Sequence, residues 1–309
     1  MLINDCKLPK PIYDAMNINN YVPVGDFGPS SLKYGAKEYI GRKRNPGLNR
    51  LASKEWAAFT GSLIHEGLEG RLKHYPEYEQ EIQIKTDFNE VSKFYKLDKS
   101  VTIGGTCDLI QHESDLIVNI WDYKTMSTAT LVLDDKIKDW TTQVNIYMWL
   151  LIVTGKVTKV NNLYMIPIFK DWTSTKAMRS HSVDDIPCPI VQIPKWNREQ
   201  IEKYIYDKVS AVQKYMDAPW EEIPYCNDEE RWCGKPCFKV CKIKDGKVGS
   251  ALPNCTFEHE LNANAELVDR QLKAKKGEVF TVKKVGGVST KCNNWCNLKT
   301  NGICDYEDK

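Results

Sequence analysis

The sequence predicts an α/β protein: a mixed central sheet flanked by helices, with a small cysteine-rich metal-binding appendage at the C-terminal end. Three observations predict this fold class. Segments with apolar residues at helical spacing alternate with short segments rich in β-branched and aromatic residues. The 309 residues are 42% hydrophobic and 27% charged, a composition that excludes a disordered or collagen-like chain. Eight of the eleven cysteines lie from Cys226 onward.

Composition divides the chain into three regions. Residues 1–50 mix Pro, Gly and Asn with basic side chains and show no sustained period, so irregular structure with one short helix is expected. Residues 51–218 carry the helix and strand patterns of a folded core. In residues 219–309, Cys, Lys, Asn and Gly replace the large aliphatic side chains. That last region is therefore predicted to bind metal and to pack on the core.

The first half of the core begins with a helix at about 52–74. Ser53 is its expected N-cap, and Trp56 and Leu63 belong to an apolar stripe that should be buried. Strand patterns then occupy 79–86, 91–98, 101–110 and 114–126. The letters DFNE are expected to form the turn between the first two strands, and QHES the turn between the last two. The fourth strand is apolar on both faces, which predicts that it is mostly buried.

The second half of the core begins with another long helix, at 135–154, for which Gly155 is the expected stop. A strand pattern follows at 161–169. A helix at 197–218 closes the core. The order of these elements predicts a sheet with helices on its faces.

The start of the chain and its longest apolar stretch bear on location. The letters MLINDCKLPK contain no apolar core of a signal peptide. Residues 148–153 form the longest apolar stretch, far short of the ~20 residues of a membrane span. We therefore expect a cytoplasmic protein without a membrane partner. In a reducing compartment, clustered cysteines favour metal binding over disulfides.

Acidic side chains and a lysine stand at the ends of two neighbouring strands. Period-two alternation places Asp122 and Lys124 at the end of an otherwise apolar row. Asp108 follows the pair Gly104 and Gly105, which allows close approach of backbone or ligand. If the strands are antiparallel neighbours, the two acids converge. Two carboxylates and a lysine then suit Mg²⁺ or Mn²⁺, and the lysine can hold or activate a water for attack on phosphate.

Two pairs on the long helices add polar groups at helical spacing. His65 lies four residues after Gly61, and Gln143 and Tyr147 are spaced i, i+4 and share a face. Each feature also has an ordinary explanation. An Asp-x-Lys sequence can be a solvated strand end, a single histidine can be half-exposed, and Gln with Tyr can form a surface hydrogen bond.

Taken together and in this order, the features resemble the motifs of the RecB-type branch of the PD-(D/E)XK nucleases. That branch includes RecB-like repair nucleases, the CRISPR-adaptation nucleases and phage-encoded exonucleases. The matching motifs are Gly61-x-x-x-His65, Gly105-x-x-Asp108, Asp122-Tyr-Lys124-Thr125 and Gln143-x-x-x-Tyr147. The resemblance runs from about residue 50 to 170 and implies a restriction-endonuclease-like core.

The resemblance also implies roles for the motif residues. Asp108 and Asp122 would bind the catalytic Mg²⁺ or Mn²⁺, with His65 as a further ligand and the backbone carbonyl of Tyr123 completing the set. Lys124 would position or activate the attacking water and stabilise charge on the phosphorane.

Further residues have roles that are less specific in the resemblance. Gln143 and Tyr147 would contact the DNA backbone or brace the active-site lysine, and Glu81 resembles a supporting acid. The basic run from Lys33 to Lys54 either follows a DNA backbone or is a solvated basic surface.

The cysteine-rich tail resembles the C-terminal part of a group of phage nucleases in this family, in which one cysteine joins three near the C-terminus. Mapped residue by residue, the metal ligands would be Cys226, Cys292, Cys296 and Cys304. Zinc is favoured over an iron–sulfur cluster, and thiolates at this spacing suit either. Four other cysteines are explained equally well as ligands or as buried thiols: Cys233, Cys237, Cys241 and Cys255.

The functional hypothesis is a metal-dependent DNA exonuclease that hydrolyses phosphodiester bonds at DNA ends in recombination, repair or phage DNA metabolism. DNA ends or single strands would be its substrate, and a phage annealing protein or a helicase its partner, in the cytoplasm of a bacterial host. A structure-specific endonuclease on the same core and a non-catalytic DNA-binding scaffold are the alternatives. The net charge of +2 is compatible with DNA binding, which depends on local patches more than on the total.

Overall fold

The computed structural model describes residues 1–18, 23–128, 134–179, 186–244 and 246–308, without the side chains of 134–136 and 179. The strands are β1 (Leu2–Ile3), β2 (Arg50–Leu51), β3 (Tyr78–Asp87), β4 (Thr102–Ser114), β5 (Ile117–Met126), β6 (Lys159–Phe169), β7 (Val191–Ile193), β8 (Cys237–Lys244), β9 (Lys247–Phe257) and β10 (Val279–Val285). The helices are α1 (Lys10–Asn17), α2 (Ala36–Arg44), α3 (Ala52–Leu72), α4 (Phe88–Val91), α5 (Asp134–Val153), α6 (Ser174–Arg179), α7 (Arg198–Tyr215), α8 (Glu260–Leu272), α9 (Thr290–Asn294) and α10 (Asn297–Thr300). Two 3₁₀ helices span Ser31–Lys33 and Trp220–Glu222.

The chain divides into two units, Met1–Pro224 and Tyr225–Lys309. The first unit contains a five-stranded sheet in the order β3-β4-β5-β6-β7. β5 and β6 are parallel, and the other neighbours are antiparallel. This arrangement confirms the predicted mixed sheet flanked by helices. None of the helices in the described residues is long and apolar enough to cross a membrane.

Helix α5 joins the two parallel strands and forms the centre of the core. All of its residues from Trp140 to Leu151 are buried. Its apolar side chains pack into the core, and its buried polar side chains form hydrogen bonds within the fold, among them Gln143 with Asp122 and Asn145 with Pro194. Its bounds agree with the predicted helix to within one residue at each end. Gly155 has φ 72°, a left-handed conformation that glycine adopts without strain and that ends the helix as expected.

The predicted strand at 91–98 is wrong. β3 is followed by the short helix α4 and then by a loop whose backbone is held by Glu202. The Oε2 atom of Glu202 accepts hydrogen bonds from the backbone N–H of Lys93 at 2.8 Å and of Phe94 at 3.0 Å. A carboxylate distant in sequence thus takes the donors that a strand would have used.

Two expectations for the first long helix are also wrong. Leu51, not Ser53, is the N-cap residue, and it makes no side-chain capping bond. Asp5 performs the capping instead, because its carboxylate accepts the Ser53 backbone N–H at 3.0 Å and the Ser53 hydroxyl. The expected apolar stripe is not buried, since Trp56 is 44% and Leu63 is 50% exposed.

Smaller differences concern the N-terminal region and one turn. Residues 1–50 contain two α-helices, α1 and α2, where one short helix was expected. The QHES segment belongs to β4, and the turn to β5 lies at residues 115–116. A longer hairpin extends the strands without changing which faces Asp108 and Asp122 occupy.

The second unit has a three-stranded antiparallel sheet in the order β10-β8-β9, with helix α8 packed against it. Its buried cluster consists of Val240, Cys255 and Ala263. The short helices α9 and α10 follow, and Cys292 and Cys296 lie in and directly before them. The apolar core of this unit is small, as the scarcity of large aliphatic residues predicts.

Candidate active site

The candidate site lies where strands β4 and β5 separate. The last paired residues of the two strands are Leu109 and Trp121. The next pair along the ladder would be Asp108 and Asp122, which lie at the opening. The backbone N–H of Tyr123 donates to Asp108 Oδ2 at 3.1 Å, so the carboxylate occupies a position that a ladder bond would otherwise fill. The strands are antiparallel neighbours, as predicted, and the two acids converge at the opening between them.

The glycine pair at this opening admits other parts of the chain. The N–H of Gly104 donates to the carbonyl of Phe27 at 2.9 Å. A Cβ atom at Gly105 would lie 2.9 Å from Pro29 Cδ and 3.1 Å from Tyr147 Cε1. The expected close approach is therefore real, and the N-terminal segment and α5 make it.

Asp122 is fully buried and holds one oxygen in an unusual state. Its Oδ1 accepts a hydrogen bond from Gln143 Nε2 at 3.0 Å. Its Oδ2 lies 2.7 Å from Lys124 Nζ, an ion-pair distance, but no donor meets it with hydrogen-bond geometry. Lys124 Nζ is also 4.0 Å from Asp108 Oδ2. The Lys124 ammonium compensates the charge of this buried carboxylate and lies between the two acids.

Three further groups surround the same opening. His65, Glu81 and Asp108 have ligand atoms that all lie within 4.8 Å of one another, and they form the one such group of three or more in the described residues. His65 Nδ1 is 3.7 Å from Asp108 Oδ2, and the imidazole meets the Tyr123 ring edge to face, with the ring centroids 6.0 Å apart. Gly61 allows this approach of α3 to the sheet, because its Cβ position is 3.1 Å from Thr125 Oγ1.

Glu81 is closer to the site than the sequence analysis anticipated. It lies between the register pairs Gln80–Leu109 and Ile82–Cys107, which places it opposite Asp108 on the neighbouring strand. Its φ of 49° is left-handed, a conformation that costs a non-glycine residue about 1 kcal/mol or more. The sequence showed only that an acid lies on the neighbouring predicted strand. The strand register of the structure then places this acid beside Asp108.

The electrostatics of the site favour a neutral imidazole at His65 and a charged ammonium group at Lys124. Burial, followed by the charge of Lys124, lowers the pKa of His65. Burial opposes the charged form of Lys124, but Asp122 and Asp108 outweigh it, so the pKa of Lys124 is raised. Burial and the neighbouring Asp122 raise the pKa of Asp108 well above its usual range. Two acids this close favour a compensating positive charge.

Gln143 connects the site to the N-terminal segment. Its Oε1 accepts a hydrogen bond from Lys33 Nζ at 3.1 Å, while its Nε2 donates to Asp122. Tyr147 is buried one turn further along the same helix face, with its ring close to Gly105. Gln143 therefore holds the carboxylate of Asp122. Lys33, which the sequence placed only within a basic run, is part of the same network.

Other members of the basic run have structural partners. Lys37 is buried, and its Nζ donates to the carbonyls of Trp220 at 3.0 Å and Ile223 at 2.8 Å. Arg44 donates to the carbonyls of Met216 and Ala218, both at 2.7 Å. These two cations tie helix α2 to the end of the first unit, so part of the basic run has a structural role. Arg44 is also exposed, and contact between the run and DNA stays a prediction.

The four cysteines expected to bind metal all lie in the second unit, and no disulfide joins the cysteines of the described chain. Burial, followed by the nearby Cys296 and Cys304, raises the pKa of Cys292 to about 11, so these three thiols are neighbours. Arg231 donates to the carbonyl of Cys226 and also to Ser289 Oγ, next to α9, at 3.3 Å. Among the described residues, no three of the four sulfurs lie within 4.8 Å of one another, so ligation stays a prediction.

Comparison with known proteins adds a family match. Residues 36–241 match the family model of the PD-(D/E)XK nuclease superfamily. Among solved structures, one titled "Crystal structure of SSO0001" aligns with 65% of this chain and 81% of its own, at 18% sequence identity and a TM-score of 0.43. No curated protein matches the chain significantly in sequence.

Proposed function

Because this chain belongs to the PD-(D/E)XK nuclease superfamily, we propose that it is a divalent-metal-dependent deoxyribonuclease that acts at DNA ends. The observation that carries the proposal is the group formed by His65, Glu81 and Asp108, whose ligand atoms all lie within 4.8 Å of one another at the mouth of the split sheet. Lys124 lies beside this group, 4.0 Å from Asp108 and 2.7 Å from the buried Asp122. Converging carboxylates repel a DNA backbone unless a cation lies between them, so this group suits metal-dependent catalysis better than DNA binding alone.

The residues present fit Mg²⁺ or Mn²⁺. Asp108, Asp122 and Glu81 supply carboxylate oxygens, which both ions prefer, and His65 supplies a nitrogen that Mn²⁺ also accepts. The lowered pKa of His65 keeps its lone pair available for a ligand. A divalent ion bound there lowers the pKa of a coordinated water and neutralises nonbridging phosphate oxygens.

Lys124 and Gln143 have separate tasks in this proposal. Lys124 keeps its proton because two carboxylates raise its pKa, so it donates to the attacking water or to the phosphate and stabilises the charge that develops there. Gln143 holds Asp122 by its Nε2 and so keeps the carboxylate directed at the opening.

The test is hydrolysis of end-labelled DNA by the purified full chain with Mg²⁺ or Mn²⁺. Asp122→Asn and Lys124→Met are each expected to reduce cleavage by about 1,000-fold, since positioned acid–base and electrostatic groups contribute ~10²–10⁴ each. Asp115→Asn is the matched control, because Asp115 is an exposed acid in the turn of the same hairpin. Equal rates for Asp122→Asn and the control, with circular dichroism unchanged, would refute a nuclease site at Asp122.

Linear and closed circular DNA of the same sequence distinguish the two catalytic alternatives. An exonuclease degrades the linear molecule and leaves the circle intact, whereas a structure-specific endonuclease nicks a circle that carries a flap or a bubble. The motif resemblance supports the exonuclease. Processing of DNA in recombination, repair or phage metabolism, a partner such as a phage annealing protein or a helicase, and a cytoplasmic location remain predictions from the same resemblance.

We propose further that Cys226, Cys292, Cys296 and Cys304 hold a structural metal, with zinc preferred to an iron–sulfur cluster. The proximity of three of these thiols supports the proposal. Elemental analysis gives the metal and its stoichiometry. A brown protein with visible absorption would replace zinc with an iron–sulfur cluster, and a protein with neither metal would refute the site.

A further inference from the structure

Helix α8 in the second unit has two apolar faces. One face packs on the three-stranded sheet through the buried Ala263 and through Leu267. The opposite face is exposed and carries large apolar side chains: Leu261 is 80%, Val268 58% and Leu272 81% exposed. A helix that covers a small sheet needs one apolar face only, so the second face requires an explanation.

The exposed apolar residues follow the spacing of a helix-pairing seam. Leu261, Ala265, Val268 and Leu272 are at i, i+4, i+7 and i+11, and Ala265 is exposed like the others. At ~100° per residue, the four side chains fall within an arc of roughly 60°. This is the alternating four- and three-residue spacing by which one helix packs along another. The small Ala265 near the middle allows the two backbones to approach closely.

The charges beside this seam are opposite at its two ends. Glu258 and Glu260 are exposed at the N-terminal end, and Lys273, Lys275 and Lys276 are exposed just beyond the C-terminal end. Lys273 also forms an ion pair with Asp269 of its own helix at 2.7 Å, so part of its charge is already compensated. A parallel pair of such helices would place acid against acid, whereas an antiparallel pair places acid against lysine at both ends.

We propose that this seam is an interface between two copies of the chain, which pair through antiparallel α8 helices about a two-fold axis. Leu261 of each copy lies against Leu272 of the other, and Ala265 against Val268. Large side chains thus meet at the two ends, a small one meets Val268 near the middle, and acids face lysines. The surface is therefore complementary to itself, as a two-fold interface requires. Its few side chains bury less than the ~800 Å² per partner of a standard stable complex, so the dimer is weak and depends on concentration.

Sedimentation velocity of the full-length protein over a concentration series tests the proposal. The wild type should change from monomer to dimer with a dissociation constant of about 10–100 µM, as expected for a small interface. Val268→Lys should abolish the dimer. Met178→Lys, at a residue that is 80% exposed in the first unit, is the matched control and should leave the dimer unchanged. Circular dichroism confirms that both variants remain folded.

Charge reversal tests the antiparallel orientation. Glu258→Lys with Glu260→Lys makes both ends basic and should weaken the dimer by about 10-fold or more at low salt. Adding Lys273→Glu and Lys276→Glu in the same chain makes the C-terminal end net acidic, even with Lys275 kept, and should restore the dimer. A wild type that is monomeric throughout, a dimer that survives Val268→Lys, or a fourfold variant that stays monomeric would each overturn the proposal.

Discussion

Gln143 shows how single residues specify the candidate site. Its amide can point in two directions, and a carboxylate partner requires that the Nε2 end face Asp122. Lys33 determines this choice, because an ammonium group can only donate and must therefore face Oε1. The orientation of the Asp122 carboxylate thus depends on Lys33 through the Gln143 amide.

We predict that Lys33→Met lowers DNA cleavage by about 10-fold and weakens activation by Mg²⁺, as is usual when a group that orients a metal ligand is lost. Lys33→Arg should recover part of the loss, since it restores a donor to Gln143. Initial rates against Mg²⁺ concentration measure both effects.

The matched control for this prediction is Lys43→Met, an exposed lysine of the same basic run on α2. A loss of similar size in the control, or a Lys33→Met variant with an unchanged Mg²⁺ dependence, would mean that Lys33 contributes only general charge toward DNA.

Among the elements, helix α7 determines the path of the chain after β3 and α4. Glu202 is fully buried on α7 and accepts hydrogen bonds from Ser92 Oγ at 2.9 Å and from Trp149 Nε1 at 3.2 Å, besides the backbone donors already described. Arg198 pairs with it at 2.7 Å. One carboxylate therefore joins α7, α5 and the loop after α4. The cost of burying its charge is offset by five donors.

We predict that Glu202→Gln lowers the free energy of unfolding by about 3 kcal/mol, because an amide cannot accept all these bonds and Arg198 loses its partner. Chemical denaturation at pH 7 measures the change. Glu199→Gln, an exposed acid on the same helix, is the control and should cost less than about 0.5 kcal/mol.

The pH dependence gives this prediction a second readout. Burial alone would raise the pKa of Glu202, but the hydrogen bonds from Arg198, Phe94 and other donors outweigh it and lower the pKa below the ordinary 4.5. The stabilisation is therefore complete above the unfolded pKa and is lost as pH falls through the folded one. The difference between wild type and Glu202→Gln should shrink below about pH 4.5. A difference that is constant with pH would contradict the role of the charge.

At the scale of the whole molecule, the two units differ in how they are stabilised. The first contains one large apolar cluster built around the five-stranded sheet and α5. In the second, the buried apolar cluster has three members with a few partly buried neighbours. The other buried residues in the described part of this unit lie outside that cluster: Cys241, Ser289, Lys291, Cys296 and Leu298. A small apolar core stabilises a region of this length only weakly, so the metal site proposed above would add to the stability of the second unit.

We predict that removing the metal from the second unit lowers its unfolding temperature by about 10 °C or more and leaves the first unit unaffected, because the binding free energy of a structural metal is folding free energy. Calorimetry with and without a strong thiol-competing chelator measures the two transitions. Cys292→Ala should have the same effect as the chelator, and Cys188→Ala, an exposed thiol of the first unit, should have none. A single transition that the chelator does not change would contradict the prediction.

The sequence by itself determined the mixed α/β class, both long helices and their limits within a few residues, and the motif residues of the site. These are local properties: the period of apolar residues, a glycine stop, and residue types at fixed spacing. Long, strongly periodic elements such as α5 are predictable because their own side chains carry the pattern.

The tertiary structure alone decided the features that depend on residues far apart in the chain. Asp5 caps a helix that begins about fifty residues later, Glu202 prevents a strand more than a hundred residues earlier, and Lys33 orients Gln143. Strand register likewise placed Glu81 opposite Asp108. The reason is physical: a polar group is satisfied by whichever partner the fold brings within about 3 Å, and sequence spacing carries no information about that partner.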